Sequence, residues 1–349
     1  MSALTLPEAV ARVRTVRHRG ARRAVIVGIL LVALLAGLFC LALSTGAFRI
    51  PLPAVLDTLA GHGTRRDTFV IRGVRLPRVL CGLLAGAAFG LSGALFQRLV
   101  RNPLASPDVI GVTMGASAAA VTCTVVFGLV GTAVSVSAFA GALVTAALIY
   151  VLAWRRGVTG YRLVLVGIGV GAVLGSVVSY LMSRAEVTSA QQALVWLTGS
   201  LNARSYDHVR PLAVALAVLL PAALLLTRGL HVLRLGDETA RGLGARIESL
   251  RLGVLLTGVA LAAVATAATG PVPFVAFVAG PIARRLVHDR GLALVPAALV
   301  GAVVMVASDL IAQHVLADRQ LPVGVVTGLL GAPFLLWQLA SANREGRGG

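Results

Sequence analysis

Long apolar stretches alternate with short polar, arginine-rich ones along nearly the whole chain. A helix that crosses the hydrocarbon core of a bilayer needs roughly 20 apolar residues. About ten stretches meet or approach that length, near residues 24–44, 78–97, 107–130, 132–153, 161–183, 209–227, 252–269, 272–287, 292–313 and 323–340. They are rich in Leu, Val, Ala and Gly and show no sustained alternation of polar and apolar positions, so the pattern predicts helices and disfavours a closed β-barrel. One interruption is unusually sharp. The octet RNPLASPD, Arg101 to Asp108, places two prolines and two charged residues between two of the predicted spans.

Composition agrees with this reading. A mean hydropathy of +0.91 with 13% charged residues over 349 residues fits no ordinary soluble domain. Six arginines, Arg12, Arg14, Arg17, Arg19, Arg22 and Arg23, precede the first span. They resemble the charged region of a secretory signal, but the apolar run that follows is too long and no small-x-small cleavage site comes after it. The segment is therefore expected to be a retained anchor with its N-terminus in the cytoplasm. With ten spans, 21 of the 31 arginines fall on the side of the N-terminus, which satisfies the positive-inside rule with both termini cytoplasmic. The expected organisation is an Arg-rich cytoplasmic segment over 1–23, a single ten-helix domain over 24–340 and a cytoplasmic tail over 341–349. The expected location is a bacterial inner or plasma membrane.

The net charge of +18 would suggest nucleic acid in a soluble protein. Here the basic residues flank helices, where anionic lipid accounts for them. All of them are arginines. A P-loop uses its lysine to reach the β- and γ-phosphates, so a chain without lysine is not expected to carry an ordinary ATPase site. Cys40, Cys81 and Cys123 match no metal or redox spacing, and the six histidines lack paired carboxylates or HExxH spacing. No Ser-His-Asp set stands out. The residues describe a conduit, not an enzyme, with neither metal nor cofactor expected on the chain.

In the octet, Asn102-Pro103 and Ser106-Pro107 suit a tight turn that stops one helix and starts the next, because proline disfavours α geometry at the residue before it and fits a first helical turn. A plain polar loop explains the same residues equally well.

The motifs RLPR at 75–78, the Gly-rich run ending in Gln97, RNPLASPDVIG at 101–111, GAS at 115–117, WLTGSL at 196–201, LGDETARGLG at 235–244, GPVPFVAFVAGPIARRL at 270–286 and LPVGVVTGLLGAPFLLWQL at 321–339 occur in one order. In that order the chain resembles the iron-siderophore (FecCD-type) ABC importer permeases, the family that includes the cobalamin importer permease. The resemblance implies an all-α integral membrane protein of the type II ABC importer permease fold, with two five-helix halves of opposite orientation. It also implies a permease dimer, two cytoplasmic ATPase subunits that hydrolyse ATP, an extracytoplasmic substrate-binding protein and a ferric siderophore as cargo. Gly280-Pro281, where many relatives read Pro-His, and the following Arg284-Arg285 look closer to one partner of a heterodimeric ferric-siderophore permease than to the homodimeric cobalamin type.

Candidate site residues come partly from position and partly from this likeness. The loop from Gly229 to Arg251 holds a short amphipathic helix with Asp237 and Glu238 at its start and Arg241 one turn on, a pattern that suits a docking helix. The resemblance gives Asp237, Glu238, Thr239, Ala240, Arg241, Leu243 and Gly244 the role of coupling to the ATPase. On the opposite side it gives Arg75 and Arg78 contacts with acidic residues of the binding protein, with interfacial anchoring as the plainer alternative. Where relatives often carry Arg four residues after Asp309, this chain has Gln313, and Arg319 stands nearby as a substitute. Arg101, Asn102, Pro103 and Pro107 are expected at a cytoplasmic turn or along the translocation path. Asp309, inside an apolar span, is expected to be a buried polar residue with a hydrogen-bonding role, because a carboxylate is costly to leave unpaired in lipid.

Alternatives of other kinds keep a place. Cobalamin or haem would use a related permease, and an ion-coupled secondary transporter would use a similarly apolar architecture. The latter needs ionisable residues at mid-membrane, and Asp309 is almost alone there.

Overall fold

Fifteen α-helices and one π-helical stretch account for the regular structure among the described residues of the computed structural model, and no strand is found there. The structure describes residues 6–46, 48–155, 157, 159–288, 293–316 and 320–345, with side chains described between 22 and 341. In chain order the helices are α1 (Leu6–Ser44), α2 (Leu52–Ala60), α3 (Arg65–Thr68), α4 (Leu76–Val100), α5 (Val112–Val125), α6 (Thr132–Ala153), α7 (Gly160–Arg184) and α8 (Val187–Leu197). They continue with α9 (Tyr206–Leu225), α10 (Thr227–Leu233), α11 (Asp237–Gly242), α12 (Ile247–Thr269), α13 (Val275–Leu286), α14 (Leu294–His314) and α15 (Val323–Glu345).

Each of the ten apolar stretches contains one of these helices. Eight are long and apolar enough to cross a membrane, while α5 is a shorter apolar helix of 14 residues and α13 has only 12. Both are short for local reasons. Residues 101–111 turn rather than coil before α5, and Pro271 and Pro273 keep Gly270–Phe274 out of helix before α13, with both Gly270 and Phe274 at positive φ. α1 begins at Leu6, well before the apolar run, so the arginine-rich segment prolongs the first helix. α8 fell outside the ten predicted stretches, because its 11 residues include Gln191 and Gln192 and are too few to span.

α3 leads into α4 through a π-helical stretch, Phe69–Arg75. Pro77 explains the irregularity: it lacks the N–H that would close a regular turn at the start of α4.

α4 is the most enclosed of the spans and packs against α9, α12, α13 and α14. Its glycines permit that proximity, as small residues do where helices pack in lipid. A Cβ on Gly86 would sit 2.5 Å from the carbonyl oxygen of Gly301, and one on Gly93 would overlap the carbonyl oxygen of Ala276. The main core follows from this, with Phe89, Leu91 and Leu95 of α4 fully buried among α12, α13 and α14. A second core lies between α5, α6 and α7, and a third closes around the C-terminal end of α1.

The packing predicts that Gly93→Val will drive α4 off α13. Overpacking costs about 1–3 kcal/mol where neighbours can yield, and here the obstacle is backbone. The thermal midpoint of the purified protein in detergent is expected to fall by several degrees or the protein to aggregate. Gly169→Ala, whose added methyl would have nothing within 4 Å, is expected to keep the wild-type midpoint.

Candidate functional site

Two polar clusters lie at the two ends of α4. One is at the end of the bundle where α1 begins and α4 finishes, the other where α1 finishes and α4 begins.

At the first end the octet forms a folded turn. Arg101 ends α4 in the left-handed conformation, with φ 56°, which turns the chain out of the helix. The Asn102 Oδ1 accepts from the N–H of Leu104 at 2.9 Å, and the Ser106 hydroxyl accepts from that of Val109 at 3.3 Å. Pro107 is buried and Pro103 exposed. α5 starts after Gly111, where φ is 85° and a Cβ would press on the carbonyl oxygen of Gly167 in α7.

This turn is tied to the amphipathic helix expected in the loop between the ninth and twelfth helices. The Arg101 guanidinium donates to the carbonyl oxygen of Leu233 at 2.6 Å and to Asp237 Oδ1 at 2.9 Å. The other oxygen of Asp237 accepts from Arg251 of α12 at 2.7 Å. One carboxylate thus joins the end of α4, the start of α11 and the start of α12. Of the other residues of α11, Ala240 is buried while Glu238, Thr239 and Arg241 are exposed. Leu243 follows with 65% of its surface exposed, and Leu235, before the helix, with 59%. Both leucines border glycines at positive φ, Gly244 and Gly236. Two exposed apolar side chains therefore flank one short polar helix. Leu235 and Arg251 had no role in the sequence reading, although both stand within or beside the loop it identified.

Further along α4, Gln97 is buried. Its side-chain N–H donates to the carbonyl oxygen of Phe277 in α13 at 3.0 Å and its oxygen accepts from Arg284 at 2.9 Å. A glutamine inside an apolar run was the available signal.

At the second end, three arginines spaced by three residues each reach a different neighbour. Arg72 donates to the carbonyl oxygen of Leu59 at the end of α2. Arg75 donates to those of Leu43, near the end of α1, and Phe48. Arg78 forms a two-pronged pair with Asp309 of α14, Nε to Oδ2 at 3.0 Å and Nη2 to Oδ1 at 2.9 Å, a geometry that suits guanidinium and carboxylate. Gln313 donates to Asp309 Oδ2 at 2.8 Å, and Gln320 accepts from Arg78 at 2.9 Å. Arg78 and Asp309 are both largely buried, with side-chain exposures of 12% and 5%. Arg75 and Arg78 therefore each hold partners within the subunit, and sequence spacing gave no sign that Arg78 faces Asp309. Arg319 lies outside the described residues. Exposed arginines on this face include Arg49, Arg65 and Arg66, the last stacked over the Phe48 ring at 4.5 Å.

Among the described residues no group of three or more His, Cys, Asp or Glu is placed to hold a metal ion.

Residues 31–341 match the FecCD transport family, so the chain belongs to it. It is 42% identical over 326 residues to the ferric enterobactin transport system permease protein FepG of Escherichia coli (strain K12), covering 93% of this chain and 98% of that one. It is 36% identical over 314 residues to the iron(3+)-hydroxamate import system permease protein FhuG of Bacillus subtilis (strain 168), covering 87% and 94%. Among solved structures, a metal-chelate type ABC transporter in an inward-facing conformation superposes with a TM-score of 0.78 at 26% identity, over 91% of this chain and 99% of that one.

The buried pair at the second end makes a measurable claim. Removing one partner strands a charge, at a cost of about 3–5 kcal/mol, so Arg78→Met and Asp309→Leu are each expected to lower the thermal midpoint strongly. The double replacement is expected to recover much of that loss, giving a large coupling energy in a double-mutant cycle. Additive single effects would mean that the pair carries no stabilisation of its own.

Proposed function

We propose that this chain is the transmembrane permease subunit of an ABC importer that moves ferric-siderophore complexes into the cytoplasm, driven by separate ATPase subunits. The observation that carries the reading is α11: a short polar helix flanked by two exposed leucines, anchored to α4 and α12 through Asp237. Exposed apolar side chains at the two ends of a short helix suit a cleft in another protein, where a few buried contacts supply most of the affinity. The names of the relatives support the cargo class, and their nearly full-length overlap supports a whole permease domain.

In this reading the end of the bundle bearing α11 faces the cytoplasm, and both termini lie on that side of a bacterial plasma membrane. Residues 24–340 form the permease domain, with 1–23 and 341–349 as cytoplasmic extensions. The chain carries no ATPase site and binds no cofactor; ATP is hydrolysed by the partner. A second permease subunit, different in sequence from this one, completes the pathway, and an extracytoplasmic binding protein delivers the cargo. Docking of that protein draws on the arginine-rich opposite face. There Arg75 and Arg78 fix the ends of α1, α4 and α14, and the exposed Arg49, Arg65 and Arg66 supply further positive charge for an acidic surface. The pairing of Asp309 with Arg78 counts against an ion-coupled transporter, which needs a carboxylate free to bind its ion.

The test is ATPase pull-down on membranes matched for permease content. Leu243→Asp places a charge in the proposed contact and is expected to lose the ATPase and all transport while inserting normally, because insertion depends on the spans. Retention of the ATPase at the wild-type level would remove α11 from the interface. Asp237→Asn is expected to act differently. The helix keeps its apolar contacts but loses its charge link to Arg101 and Arg251, so the ATPase should still bind while transport per ATP hydrolysed falls. An unchanged ratio of transport to hydrolysis would leave Asp237 with a local role only.

A further inference from the structure

A cavity of about 820 Å³ opens between α5, α7, the end of α8 and the Pro271–Pro273 segment. Its lining is unusual for this chain. Thr113 and Ser117 of α5 face Ser176 and Ser179 of α7 across it, and Asp108, the last residue of the octet, is the one ionisable side chain in the wall. A helix face that met only lipid tails would have no use for such a set.

Asp108 is also unfinished as a structural group. Its Oδ2 is shut off from bulk solvent and has no hydrogen-bond partner within the chain, while the Thr113 hydroxyl serves the carboxyl group. Buried polar atoms are nearly always paired, and an orphaned carboxylate oxygen calls for a reason. The other buried carboxylate near an end of α4, Asp309, shows the contrast, with an arginine fork and a glutamine on it. Here the only groups across the gap are hydroxyls, backbone and apolar side chains. No cation from α5, α7, α8 or the proline segment lines the cavity.

Taking the importer reading as given, we propose that this cavity is part of the cargo passage and that Asp108 is a specificity-determining residue, which favours cationic and hydrogen-bond-donating groups of an iron chelate over carboxylate or phenolate anions. Its carboxylate attracts positive charge at close range through a wall of low polarity, and the hydroxyl oxygens of Ser176 and Ser179, whose protons are donated to the carbonyl oxygens of Ala172 and Gly175, offer acceptors to the donor groups of a chelate. The same placement couples selection to the octet, since Asp108 and Arg101 are ends of one turn. Arg101 holds α11, and Asp108 faces the cavity.

The experiment reads the field in the cavity without needing cargo, so its failure is distinct from a failure of the importer reading, which the ATPase pull-down decides. Ser176→Cys is introduced into a chain with Cys40, Cys81 and Cys123 replaced by Ala, assembled with its ATPase in membranes. The rates of modification by a cationic and an anionic methanethiosulfonate are then measured, and their ratio cancels the titration of the thiol. At pH 8 the ratio of cationic to anionic rate is expected to exceed that in the Asp108→Asn background by about fivefold, of the order a single carboxylate gives at this range in a hydrated cavity. Asp108→Ser should behave as Asp108→Asn, which covers the case in which one variant assembles poorly. Equal ratios in the two backgrounds, or no modification by either reagent, would overturn the proposal.

Discussion

The close backbone contact of α4 with α13 and α14 is the constraint on which the rest of the bundle depends. Lipid tails supply no hydrophobic force between helices, so α4 is held by packing at short range and by polar links. Gly86 and Gly93 bring its backbone against that of α14 and α13, and this places its polar side chains within reach of neighbours on all sides. Arg75 reaches the end of α1, Arg78 reaches α14, the Ser92 hydroxyl donates to the carbonyl oxygen of Gly258 in α12 at 2.6 Å, Gln97 reaches α13 and Arg101 reaches α11. With a larger residue at Gly86 or Gly93, none of these links would keep its geometry.

Membrane helices were the most legible part of the sequence, because about 20 apolar residues in a row have few other uses. The two short helices were less so: α5 and α13 are trimmed by turn and proline geometry at their N-terminal ends, which hydropathy averages away. The octet was visible as an interruption, and the open choice between a tight turn and a plain loop is answered by the left-handed Arg101 and the Asn102 and Ser106 side-chain bonds. α11 could be found from Asp237, Glu238 and Arg241 at helical spacing.

Partners across the fold were illegible for a physical reason. Arg78 and Asp309 are 231 positions apart, and Arg101 and Asp237 are 136 apart. No periodicity links residues on different helices, and local spacing made Arg78 look like a free surface charge when it is half of a buried pair. Asp108 shows the same limit in reverse. In sequence it is an ordinary turn aspartate after proline, and only the cavity beside it marks it as a carboxylate without a counter-ion.

The uneven packing has a mechanical consequence for the proposed importer. α4 is enclosed along most of its length, whereas α7 buries little of its surface and α8 is short and carries a single buried residue, Ala193. A push on α11 from a partner enters α4 through Arg101 and α12 through Arg251, both of which are bound to one Asp237 carboxylate. Tightly interlocked helices move as a body because their packing allows no gradual shear. α4 makes little contact with α7, so one place where that body can shift lies between it and α7 with α8. The cavity lined by Asp108 sits on this boundary, so relative movement there changes the width of the cavity while leaving the core around α4 intact.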